Sequence, residues 1–152
     1  MFTVLNTHLD DQSEGQRKLA ASMLLLRARY EAVNTSGPVF IIGDFNRYET
    51  SPSNIAANET STYSSPPTGK DSGAYSIATG SLSPVHVNQT FANKYAVQDG
   101  QLPDFHMLDL RATTLRQNVS ANYATFTDFT APTDTSQWER IDFILGGSNL
   151  GW

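Results

Sequence analysis

The run Pro38-Val39-Phe40-Ile41-Ile42 is followed at once by Gly43-Asp44-Phe45-Asn46. A short β-branched run of this kind reads as a buried strand. The glycine permits a sharp turn where the strand ends. A carboxylate and a carboxamide then project from that end. In open α/β sheets, ligands bind in the crevice at the carboxyl ends of strands. Asp44 can accept a proton, position a water or bind a metal, and Asn46 can donate to an anionic oxygen without adding charge. A turn that merely closes the strand through Asx hydrogen bonds would use the same residues.

Two further segments have the same character. Val4-Leu5-Asn6-Thr7-His8-Leu9-Asp10 lies near the start, and Glu139-Arg140-Ile141-Asp142-Phe143-Ile144-Leu145 near the end. Each is an apolar, strand-like stretch carrying polar groups that a core strand normally excludes. Alternation places Asn6, His8 and Asp10 on one side of the first strand. Arg140 reads either as a phosphate contact or as the partner of a neighbouring carboxylate.

The order Asn-Thr-His-Leu-Asp, Gly-Asp-Phe-Asn, Arg-Ile-Asp-Phe-Ile resembles the endonuclease/exonuclease/phosphatase superfamily. Deoxyribonuclease I-like nucleases, sphingomyelinases and inositol-polyphosphate phosphatases belong to it. The resemblance covers Phe2 to about Gly147. It implies a single α+β domain, a deoxyribonuclease I-like four-layer α/β/β/α sandwich, spanning residues 1–152 and incomplete. It implies that Asp44 orients or deprotonates the attacking water, that Asn46 holds the scissile phosphate and that His8 contacts it. Asp142 resembles the aspartate that orients a catalytic histidine. Phosphate binding falls to Asn46, His8 and Arg140, and metal binding to Asp10 and Asp44. The implied cofactor is Mg²⁺, which suits oxygen ligands and keeps several waters.

The family pattern also contains an early strand with Asn, a strand ending in a metal-binding Glu, and a late Ser-Asp-His. This chain shows none of these, and its other histidines, His86 and His106, stand in different contexts. The expectation is a domain portion clipped at both ends, with one nearly complete sheet. An apolar face would be left open to self-association. Two functions follow: a metal-dependent phosphoester hydrolase or its catalytic half, and a non-catalytic remnant or pseudoenzyme. A calcineurin-like metallophosphoesterase also uses Gly-Asp but needs a later Gly-Asn-His, which is lacking.

Composition narrows the substrate only slightly. The net charge is −5, and Lys and Arg are scattered. That disfavours an extended nucleic-acid surface, which needs clustered cations. Nucleic acid, phospholipid head group and sugar phosphate all stay open. Cysteine is absent, so there is no disulfide framework or thiolate metal site. Sequons at Asn34, Asn58, Asn88 and Asn118 give slight support for a secreted parent. No apolar run is long enough to cross a membrane, and no signal peptide is visible.

The periodicity predicts a strand over Phe2–His8 and a helix over Glu14–Val33 with a Ser13/Gln16 capping box. Its apolar stripe reads as Leu19, Met23, Leu26 and Tyr30, widened by Ala20 and Leu24, with Arg17, Arg27 and Glu31 off it. A long loop follows over 48–69, with a helical turn near 54–57. A short helix runs from the Ser72 cap to Thr79 and stops at Gly80. Further strands are predicted within Phe105–Arg111 and Asn122–Phe129, with Asp109 either lining the site or serving as an edge or turn group. The segment from Leu82 to Phe91 has no clear period.

Overall fold

The computed structural model describes residues 1–46, 73–110, 125–126 and 140–149. The predicted loop over 48–69, with its helical turn, lies outside the described residues. So does the 122–129 strand, except for Thr125 and Phe126.

The elements are β1 (Thr3–His8), α1 (Glu14–Thr35), β2 (Val39–Asp44), α2 (Gly73–Ala78), α3 (Gln89–Lys94), β3 (Leu108–Asp109) and β4 (Asp142–Gly147). The fold is mixed α and β. The described strands form one mixed sheet in the order β1-β2-β4-β3. β1 and β2 are parallel, whereas β2–β4 and β4–β3 are antiparallel. A parallel pair needs a crossover, which α1 supplies. No helix among the described residues is long and apolar enough to cross a membrane.

One face of the sheet is covered. Val39, Ile41, Phe143 and Leu145 are buried there with Ala21, Leu25, Ala28 and Ala32 of α1 and Ala74 and Ile77 of α2. The opposite face is open, with Val4 and Ile144 exposed. Side chains alternate across a strand, so Asn6, His8, Asp44 and Asp142 belong to the open face.

α1 begins where Ser13 Oγ accepts from Gln16 N at 3.3 Å, and it ends at Ser36 in the left-handed conformation. Its buried stripe differs from the predicted one. Arg17, Ala21, Ser22, Leu25, Ala28 and Ala32 are buried, while Leu19, Met23, Leu26 and Tyr30 are half-buried. Small residues let the helix lie close to the sheet and α2, so the larger apolar side chains fill the flanks. Arg17 is buried because its guanidinium has local partners. Nε binds Glu14 at 2.9 Å, and Nη1 donates to the Asp10 carbonyl at 2.8 Å. Arg27 does lie off the stripe. Desolvation lowers its pKa, but the contacts with Glu31 and Tyr95 outweigh that and hold the guanidinium above its usual value.

The unpatterned segment after Leu82 forms α3. Asn88 caps it, accepting from Thr90 N at 2.9 Å. The predicted 105–111 strand shrinks to Leu108–Asp109. There Asp109 does lie on an edge strand of the described sheet, but its side chain is buried. Arg140 donates to both of its carboxylate oxygens at 2.7 Å, and Tyr75 Oη donates to one at 3.1 Å. Both side chains are nearly inaccessible, and the guanidinium lies over the Phe143 ring at 4.4 Å. The pair ties β3, the start of β4 and α2 together.

Removing one member of such a pair leaves a buried charge uncompensated. Asp109→Ala should therefore destabilise the fold by about 3–5 kcal/mol. Urea unfolding of the variant and of Asp109→Leu/Arg140→Met checks this: the double variant should recover much of the loss.

Candidate active site

Three strands bring three polar side chains into one row. In the sheet register His8 lies opposite Asp44, and Asp44 lies opposite Asp142. Cross-strand partners point to the same face, so all three share the open side. His8 Nε2 is 3.5 Å from Asp44 Oδ2. The imidazole is 75% exposed and the Asp44 side chain 23%.

The pairing class brings the carboxylates close. Phe45 N donates to Ile141 O at 2.8 Å, so Phe45 and Ile141 form a hydrogen-bonded pair. Asp44 and Asp142, one step inside, then form a non-hydrogen-bonded pair, whose Cα atoms approach to about 4.5 Å. Backbone groups of such a pair point away from the partner strand. The Asp44 carbonyl accordingly turns to the β1 side and accepts from Leu9 N at 2.9 Å.

The Gly43-Asp44-Phe45-Asn46 turn has one task per residue. Gly43 has φ +133°, and a Cβ there would lie 1.9 Å from the Thr7 carbonyl oxygen. Only glycine lets β1 and β2 meet at that point. Phe45 is fully buried, its ring 5.2 Å from that of Phe143. Asn46 takes a left-handed φ of 45°. Its backbone N donates to Asp44 Oδ1 at 2.7 Å, which is the Asx turn, and its Nδ2 donates to the Leu9 carbonyl at 2.6 Å. The turn and the polar site are thus the same structure. An amide nitrogen carries two hydrogens, so Asn46 keeps one beyond its bond to Leu9.

Two expected site residues are employed elsewhere. β1 ends at His8, and the in–out alternation runs on through buried Leu9 to exposed Asp10, but the Asp10 carboxylate is taken up locally. Asp10 Oδ1 instead accepts from Gln12 N at 2.8 Å and Ser13 N at 2.6 Å, shaping the entry to α1. Arg140, expected as a phosphate contact, is the core partner of Asp109. Of its two sequence readings, the carboxylate partner is the one present, and the packing identifies that carboxylate as Asp109.

Among the described residues, no three His, Cys, Asp or Glu side chains form an ion-holding group. Asp44 and Asp142 supply two carboxylates. Asp10, the other expected metal ligand, is engaged through Oδ1 by the loop. His106 Nδ1 contacts the Asp104 carbonyl at 2.8 Å, at a cavity of about 450 Å³ between α1 and the 80–106 loops. A second hollow, of about 530 Å³, lies on the open face beside Asp142, with Ile42, Leu110, Thr125 and Ile144 in its wall.

Comparison with protein-family models, curated proteins and solved structures finds no significant match.

Two outcomes are expected. Gly43→Ala should lose at least ~3 kcal/mol, because it combines a disfavoured φ with a backbone clash, as denaturant unfolding would record. Calorimetry with Mg²⁺ alone should show no stoichiometric site tighter than ~1 mM, since Mg²⁺ demands near-ideal octahedral geometry. A tight one-to-one isotherm would contradict the donor count.

Proposed function

We propose that the chain carries a phosphoester-hydrolysing site of the endonuclease/exonuclease/phosphatase type, on part of a deoxyribonuclease I-like four-layer sandwich. The observation that carries this reading is the cross-strand row of His8, Asp44 and Asp142, with Asn46 at the end of the same strand pair. The row has the residue types that phosphate ester hydrolysis needs: a proton acceptor, a cationic or proton-donating partner and a neutral donor.

The roles follow from the bonds. Asn46 N occupies Asp44 Oδ1, so Oδ2 is the oxygen that faces His8 and the reaction space. Asp44 orients a water and takes its proton as the water oxygen bonds to phosphorus. The ester P–O bond breaks, and the leaving oxygen takes a proton from solvent or from protonated His8. An N–H of His8 and the second Asn46 amide hydrogen can donate to the phosphoryl oxygens. Asp142 is a further acceptor beside Asp44. A divalent cation would neutralise those oxygens further. Asp44 and Asp142 are the carboxylates that would hold it, and no step above depends on one.

The resemblance would lay a second sheet on the open face, where Phe2, Val4 and Ile144 are exposed. Where that face stays bare, self-association through it is expected. The substrate is a phosphoester, whether of nucleic acid, lipid head group or sugar.

A second reading, a non-catalytic member of the same fold, is favoured by the withdrawal of Arg140 and Asp10 from the row. Hydrolysis of bis(p-nitrophenyl) phosphate with Mg²⁺, with and without chelator, separates the two. The hydrolase reading expects slow turnover that falls about a hundredfold or more in Asp44→Ala, with an unchanged circular dichroism spectrum. Wild-type rates equal to buffer would favour the second reading.

A further inference from the structure

We infer that Thr125 is the positioning residue for Asp142; the inference rests on the proposed site and adds a member to it. Thr125 Oγ1 accepts from Ile141 N and from Asp142 N, both at 3.1 Å. In a regular strand, successive N–H groups point to opposite edges, so one acceptor cannot serve both. The chain entering β4 therefore departs from strand geometry where Asp142 begins, and one hydroxyl oxygen collects both amides.

The need for this acceptor follows from the ladder. Asp142 forms a non-hydrogen-bonded pair with Asp44, so its N–H points away from β2. β3 covers only the far part of β4, pairing with Leu145 and Gly146. On that edge Thr125 stands against the Asp142 amide. Ile141 O is already engaged by Phe45 N, within the turn that carries Asp44 and Asn46. The Ile141–Asp142 peptides are thus held from both sides: by the Asp44 turn on one edge and by Thr125 on the other. A hydroxyl has two acceptor lone pairs, and both are used. Thr125 also stands in the wall of the hollow beside Asp142. Loss of its acceptor frees the Asp142 backbone to relax, and the carboxylate moves relative to Asp44 and His8. Displacements of about 1 Å in a catalytic group can cost about a hundredfold in rate.

The test uses the whole chain with Thr125→Val, which removes the acceptor, Thr125→Ala as a second loss variant, and Thr125→Ser, which restores it. Thr125 is exposed, so its replacement leaves the core intact. Carbon-13 and proton resonances of the Asp142 carboxyl and the His8 imidazole should move in Val and Ala and return in Ser, while the Ile77 and Met107 methyl groups stay in place. A purely local bond would move only the Ile141 and Asp142 amides. That pattern, or failure of Ser to restore the side-chain resonances, would overturn the inference. On bis(p-nitrophenyl) phosphate, kcat should fall about tenfold or more in Val with KM within about twofold, and Ser should recover it. If wild-type protein shows no turnover, the hydrolase reading fails, and the resonances still decide the positioning role.

Discussion

Pairing of β2 along both of its edges is the constraint on which the rest depends. Its parallel partner β1 and antiparallel partner β4 lock residues 8, 44 and 142 into one line. A one-residue slip in either ladder would turn a site residue to the covered face and bring core residues into water. The hydrophobic burial of Val39, Ile41, Phe143 and Leu145 therefore guards the register, and the register places the polar row. Core packing and site geometry are one requirement met by alternate residues of the same strands.

Two local devices hold that line at the end that carries the polar row. Gly43 lets β1 and β2 approach at Thr7, where any side chain would collide with a carbonyl. The Arg140–Asp109 pair anchors the chain just before Asp142, two residues from the row, and buries both charges against each other. The pair explains how an arginine can sit next to a candidate site without serving it. Its charge is compensated within the core and contributes little to attracting an anion at the surface.

Much of the architecture was legible in the sequence because it rests on local pattern. The β1, α1, β2 and β4 segments have clear periods, and Ser13 caps α1 as its spacing suggests. The covered stripe of α1 was misread because hydrophobicity favoured Leu19 and Met23, while close packing selected Ala21, Ala28 and Ala32. Burial there is set by how near two surfaces approach, a quantity that residue polarity does not encode. α3 was missed because its six residues lack an apolar period and depend on the Asn88 cap.

The sequence by itself determined which polar residues the strands carry to their ends: a His, two Asp and an Asn, each at the end or start of an apolar strand. It also determined that the turn after Ile42 needs glycine at its first position. Tertiary structure alone decided which charged groups remain available. Asp10 is spent on two loop amides, and Arg140 is spent on Asp109. In the linear chain Asp10 looks equivalent to Asp44 and Asp142, and the carboxylate partner of Arg140 is unnamed. The difference arises because hydrogen-bond partners distant in sequence become neighbours only on folding, and a buried charge goes to the nearest partner that offsets its desolvation.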